Sequence, residues 1–218
     1  MTFAIVLLGW IFSLCLHEFG HAIVAYYGGD TTVKEKGYLT FNPLRYTDPM
    51  MSIALPLLFL FMGGIGLPGG AVYIERWRLR SRGWWSAVSL AGPTANLLVL
   101  IALSIALRFA PSAPYAMNSP WPGIAFLAQL QGWALVINLI PLPPFDGYGI
   151  VEPFLPYHWQ ERVNSVRGWL PWVVLAMLWF VPIVAYMIRA QVDIIAYVFG
   201  VPYETMLEGY FRFRFWEL

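Results

Sequence analysis

The chain has 218 residues, of which 59% are hydrophobic and 11% charged, with a net charge of +1 and eleven tryptophans. Soluble domains carry about a quarter charged residues, so this composition excludes an ordinary soluble globule. The few basic residues lie between apolar runs, which excludes a nucleic-acid footprint and points to a protein held in a lipid bilayer.

Five apolar segments follow one another, at residues 3–27, 50–67, 84–109, 122–142 and 169–188. A spanning helix needs about 20 residues, so the chain reads as an all-α polytopic membrane protein with about four to six transmembrane helices. The first run lacks the positive n-region of a signal peptide and reads as a retained helix. The second is different. Pro56 interrupts it, Gly63-Gly64-Ile65-Gly66-Leu67-Pro68-Gly69-Gly70 follows, and Ala71-Val72-Tyr73-Ile74 then has strand character. The last stretch ends in Phe211-Arg212-Phe213-Arg214-Phe215-Trp216, an aromatic and basic alternation suited to the headgroup region. The expected division is therefore a core over residues 1–188 and an interfacial tail over 189–218, with no repeat and no appended soluble domain. Cys15, the single cysteine, excludes an internal disulfide and reads as a packing residue.

Chemistry concentrates in the first run, where His17-Glu18-Phe19-Gly20-His21 interrupts apolar sequence. Residues i and i+4 share a helix face, so both histidines can offer ring nitrogens to one metal ion. Glu18 sits about 100° around the helix, placed to move a proton without binding the ion. Ionisable groups at membrane depth are costly and usually serve a function. The pattern is that of a zinc hydrolase. Catalytic zinc normally takes three protein ligands. The third candidate is Asp146, the only carboxylate between Glu75 and Glu152, within Asn138-Leu139-Ile140-Pro141-Leu142-Pro143-Pro144-Phe145-Asp146-Gly147. Its blander reading is a turn cap before Gly147.

The His17-Glu18-x-x-His21 pair and the Asn138-to-Gly147 stretch together resemble the site-2 protease family of intramembrane zinc metalloproteases, in a minimal form without PDZ or CBS domains. Ala91-Gly92-Pro93-Thr94-Ala95-Asn96-Leu97 resembles the family's glycine-proline helix between the two motifs. The resemblance implies one Zn2+ per chain held by His17, His21 and Asp146, with Glu18 as general base and Asn138 near the scissile carbonyl. It implies proteolysis of single-pass membrane-protein substrates within or near their transmembrane segments. A minimal core of this kind resembles prokaryotic members, which places it in the cell (inner) membrane. Relatives carry Asn-Pro-Leu-x-His-x-Asp-Pro after the first motif; here Tyr46 stands in place of that histidine, so no role for it transfers.

Geometry and charge add a topology. The two histidines lie late in their helix and Asp146 follows the end of the fourth apolar run, so those two helices should run in the same direction. That requires residues 50–74 to enter and leave on one side, as a re-entrant helix-plus-strand. With that topology nine basic residues (Lys34, Lys36, Arg45, Arg76, Arg78, Arg80, Arg82, Arg162, Arg167) share one side and four (Arg108, Arg189, Arg212, Arg214) the other. A full crossing leaves six against seven. The positive-inside rule favours the first and puts the metal toward the cytoplasm.

Competing readings are a metal transporter, which would repeat its ligands along a path, and a membrane-protein-binding pseudoprotease, which would not need Glu18. Asn138 reads equally as a helix-packing amide, and Asn96 as one more readily than as a catalytic group. His158 reads as a surface residue, and Arg76, Arg78, Arg80 and Arg82 as a membrane-surface anchor. Neither the substrate nor the oligomeric state is legible in the chain.

Overall fold

A computed structural model of the chain describes residues 1–42, 72–111 and 119–214, together with Arg45, Leu60 and Trp216. Among the described residues all regular structure is helical. The longest element, α1 (Thr2–Gly28), has no charged residue in its first or last turn. It stops where Gly29 adopts φ 118° and turns its N–H back to the Ala25 and Tyr26 carbonyls. A side chain there would be strained twice, by the left-handed backbone and by the Arg78 carbonyl oxygen 2.6 Å from a Cβ. One helical turn, α2 (Thr32–Glu35), follows.

Helix α3 (Arg82–Leu107) starts at Ser81, whose Oγ accepts the Trp84 N–H at 3.4 Å. Next come α4 (Trp121–Asn138), with a proline in its first turn, and the short α5 (Asp146–Val151). Beyond these lie α6 (Tyr157–Val166), α7 (Leu170–Phe180), α8 (Pro182–Val198) and α9 (Tyr203–Phe213). Among the described residues α1 and α3 are long and apolar enough to cross a membrane. A third span exists only if α7 and α8, which bend by 92° at Val181-Pro182, count as one.

Three helices form the frame. His21 faces Val88 and His17 faces Asn96, so α1 and α3 run antiparallel. Ile5 lies against Gly123 and Ser13 bonds Gln131, so α1 and α4 run parallel. This is the relative direction that the ligand depths demanded. Trp10, Val6, Leu130 and Phe213 are fully buried in the main apolar cluster, which Leu60 also joins.

The expected interfacial tail contains the end of α8 and all of α9. Helix α9 docks onto α4, with Phe213 stacked on Phe3 at 5.4 Å and tilted against Phe126 at 5.7 Å. The alternation of aromatics and arginines is satisfied here on a helix, with Phe213 inward and Arg212 paired with Glu208 at 2.6 Å.

Of the expected re-entrant segment, residues 50–59 and 61–71 lie outside the described residues. Residues 72–75 belong to no strand and no helix. The ends of this stretch are pinned. The Val72 N–H reaches Glu18 Oε2 at 3.2 Å, and the Glu75 N–H reaches Asp30 Oδ2 at 2.7 Å. Asp30 is fully buried and also accepts from Thr32 N and Thr32 Oγ1. A step further on, Arg80 N donates to the Gly28 carbonyl at 2.9 Å. The chain between α1 and α3 therefore starts and ends at one end of the bundle.

The α9–α4 contact depends on Gly209, because a Cβ there would overlap the Pro122 carbonyl oxygen and lie 2.9 Å from Phe126 Cβ. Backbone cannot yield as a flexible side chain can. Gly209→Val should lower stability by about 1–3 kcal/mol, read as an earlier thermal unfolding midpoint in detergent. An unchanged midpoint would mean that α9 is not held by this contact.

Candidate metal centre

His17, Glu18 and His21 lie one turn apart in the C-terminal half of α1, and all three are buried. Asp146 arrives from a different direction. Helix α4 ends at Asn138, a turn follows, and Asp146 opens α5 as a separate element. Gly147 makes this return possible, since a Cβ would lie 2.6 Å from the Ile140 carbonyl oxygen and overlap that of Leu139. The prolines end the helix, as expected, and the Asp-Gly pair folds the chain back under it.

The three candidate ligands converge. His17 Nε2 lies 3.2 Å from Asp146 Oδ2, and His21 Nε2 lies 3.4 Å from Asp146 Oδ1. The two Nε2 atoms are 3.1 Å apart. All the ligand atoms lie within 4.8 Å of one another.

Hydrogen bonds decide what those atoms present. His21 Nδ1 is 2.7 Å from the Val88 carbonyl, which can only accept. His17 Nδ1 is 2.5 Å from Asn96 Oδ1. The Asn96 amide donates to Gln131 Oε1 at 2.9 Å, Gln131 donates to Ser13 Oγ at 3.1 Å, and Ser13 donates to the Trp10 carbonyl at 2.8 Å. A carbonyl at one end fixes the direction of every donor along the line. Both Nδ1 atoms therefore carry a proton, which leaves each Nε2 as the ring atom that faces the other imidazole and a carboxylate and can serve as a ligand atom.

Either a proton on an Nε2 or a metal ion among the three groups can satisfy such a set. Two imidazoles and one carboxylate are a ligand set of catalytic zinc. Space is kept beside it by Gly92 of α3, where a Cβ would lie 2.6 Å from His17 Nε2 and overlap His21 Nε2. The residues present fit a zinc ion.

Glu18 is 3% exposed and sits close enough to interact electrostatically with His17, His21 and Asp146. Its Oε2 is oriented by the Val72 N–H. Asn138 is equally buried, at the end of α4, and its Nδ2 has no hydrogen-bond partner among the described residues. His158 lies on the exposed face of α6.

The structure adds residues that the sequence reading passed over. Asn96, read as a packing amide, holds a ligand ring. Gln131 and Ser13 extend that support and were not singled out. A signal existed for Gln131, a fully buried amide in a helix whose other amides are Gln129 and Asn138, because polar groups at that depth need partners. Val72 and the Val88 carbonyl act through backbone atoms, which carry no sequence signal.

Comparison with known proteins identifies the chain's relatives. The chain is 47% identical over 177 residues to a protein of Mycolicibacterium smegmatis named "Putative zinc metalloprotease Rip2", an alignment covering 81% of this chain and 67% of that one. It is 41% identical over 217 residues to the Mycobacterium tuberculosis protein of the same name, covering 100% and 82%. A Bacillus subtilis protein named "Putative zinc metalloprotease YwhC" is 29% identical over 207 residues, covering 90% and 91%. No family model matches the chain, and no solved structure matches it. With relatives this close over nearly its whole length, and both motifs folded onto one point, the chain belongs to the site-2 protease family of zinc metalloproteases.

Proposed function

We propose that this protein hydrolyses peptide bonds within or next to the transmembrane segments of membrane-protein substrates, using one zinc ion held by His17, His21 and Asp146. The observation that carries the reading is the convergence of two Nε2 atoms and a carboxylate on one point beside buried Glu18. A zinc ion held there supplies Lewis acidity and lowers the pKa of water toward neutrality.

The chain's own residues do the remaining work. Glu18 takes the proton from the attacking water and passes it to the leaving nitrogen, with the Val72 N–H steadying one carboxylate oxygen. Asn138 offers an unsatisfied buried amide N–H, the kind of donor that can receive a developing oxyanion. Asn96, Gln131 and Ser13 hold the His17 ring. Neither alternative is favoured: a transporter has no use for an oriented general base, and a silent binding protein has no use for the ligand set.

The substrates inferred are single-pass membrane proteins, cut in the cell membrane on the cytoplasmic side. A re-entrant path for residues 50–74 is supported by the Arg80–Gly28 bond, which starts and ends the intervening chain at one end of the bundle. A count of four to six spans is supported by α4, whose 18 residues extend about 27 Å at 1.5 Å each. Single cysteines placed at Lys36 and at Arg80 should both react with an impermeant thiol reagent from the cytoplasmic side only. Labelling from opposite sides would overturn the re-entrant path.

Glu18→Gln keeps the shape and removes the base. It should bind zinc stoichiometrically and cleave at least 100-fold more slowly, in line with the roughly 10²–10⁴ that a general base contributes. Cleavage at the wild-type rate would remove Glu18 from the reaction. Asn96→Ala leaves the His17 tautomer unfixed, and partners of this kind are worth about 10–100-fold in metal affinity. A zinc competition titration should show that loss, and Asn96→Asp, which keeps the acceptor, should recover most of it.

A further inference from the structure

Next to the metal centre lies a second feature, which shares only Asp146 with the candidate ligand set. A cavity of about 80 Å³ is lined by Asp146 on one side and by Arg76, Arg167, Tyr148 and Ser89 on the others. Asp146 is thus shared between the ligand set and the cavity wall.

Charge within the cavity is unbalanced. Arg76 is fixed in place: its guanidinium lies 4.0 Å above the Trp85 ring, and its Nη1 is 3.2 Å from Glu152 Oε2. Glu152 is 2% exposed and neutralises that one cation. Asp146 is occupied as a ligand. Arg167 sits on the exposed side and has no carboxylate partner among the described residues, so one positive charge is left over.

Tyr148 makes the second, independent observation. It is 3% exposed, yet its hydroxyl has no hydrogen-bond partner among the described residues. A buried hydroxyl without a partner costs about 1–3 kcal/mol. Tyr148 also lies within electrostatic reach of Arg76, Arg167 and Glu152. An unpartnered buried hydroxyl and an exposed guanidinium without a carboxylate partner therefore belong to residues that line one small cavity, beside the candidate metal ligands.

We propose that this cavity is an anion subsite which receives a carboxylate of the bound peptide, gripped by Arg167 and the Tyr148 hydroxyl, with Arg76 as fixed positive wall. The carboxylate has two sources: an acidic side chain flanking the scissile bond, or the new terminus that hydrolysis creates. The proposal rests on the proteolytic reading of the neighbouring metal centre. It adds a charge preference that the two family motifs do not encode.

The test uses the full-length zinc-loaded Glu18→Gln protein in detergent, so that binding is read without turnover. Two pairs of short, apolar, N-acetylated peptides serve as probes. One pair ends in a free carboxylate or a carboxamide; the other is amidated and carries an internal Glu or Gln. One pair should show about tenfold tighter binding of the acid, as a charge-assisted hydrogen bond provides, and which pair does so identifies the source. Arg167→Gln should erase that preference while Arg167→Lys keeps part of it. Tyr148→Phe should weaken it with no loss of thermal stability, because the hydroxyl it removes has no partner in the fold.

Equal binding within both pairs would overturn the subsite. So would a preference that survives Arg167→Gln, which would put the carboxylate on the zinc itself. An Arg167→Gln effect confined to binding vesicles of anionic lipid would also overturn it, as a headgroup contact. Cleavage by the protein with Glu18 intact is scored separately: a charge preference without cleavage sinks the proteolytic reading and leaves the subsite standing.

Discussion

The structure depends on a hydrogen-bond line that can run in one direction only. It begins at the Trp10 carbonyl of α1, crosses to Gln131 of α4, passes to Asn96 of α3, and returns to His17 of α1. A backbone carbonyl has no proton to give, so each amide and hydroxyl along the line has its donor and acceptor ends assigned. The result at the far end is a His17 ring whose Nδ1 proton is committed and whose Nε2 is the atom turned toward Asp146. Reverse any one amide and a buried donor faces a donor, at a cost of about 1–3 kcal/mol. The three frame helices are thereby joined by the same bonds that prepare the ligand. Bundle packing and site chemistry are one constraint here, with no separate device for each.

The line is short because the helices approach closely. Gly20 of α1 lies where a Cβ would be 2.9 Å from the Ala91 carbonyl oxygen, and Gly92 sits directly beside both imidazoles. Small residues let backbones near one another in a bilayer, where packing and polar contacts rather than the hydrophobic effect drive helix association. At this crossing they do a second job. A side chain at position 92 would occupy the space between the rings, so the contact that brings α3 close also keeps the centre open. Glycine serves α1 and α3 through its missing volume, not through its backbone freedom.

Much of the site could be read from residue order alone, because its ligands are rare residue types in apolar surroundings. His17, Glu18 and His21 depend only on helix periodicity, and that survives any tertiary arrangement. Asp146 was legible as a lone carboxylate after a proline-broken helix, although it opens a new helix where the end of an old one was expected. What escaped was whatever acts across elements. Asn96 looks like any helix amide until Gln131 and His17 are placed on either side of it. The Val72 N–H that orients Glu18 has no side-chain signature at all. The final stretch shows the same limit: alternating aromatics and arginines do not say which ring turns inward, and only the partners, Phe3 and Phe126 against Phe213, supply that.

One consequence joins the frame to the segments outside it. Two ligands belong to a long rigid helix, but the third hangs on the turn between α4 and α5, a stretch with a half-exposed surface around Leu139 and Leu142. Its position is held by Gly147 packed under Leu139 and Ile140, by the Ser86 hydroxyl donating to the Ile150 carbonyl at 2.6 Å, and by the Arg76–Glu152 pair. A cation among the three candidate ligands would add a further tie. Because ligand sets of this kind couple metal binding to folding, zinc bound there would strengthen the hold of α5 on the bundle. The cavity between Arg76, Arg167 and Tyr148 is shaped by contacts within the fold, so a cation held by Asp146 would change the charge of its wall more than its shape. A peptide carboxylate would then meet a wall with its nearest negative group engaged only in the metal-loaded protein, which would tie recognition to reactivity.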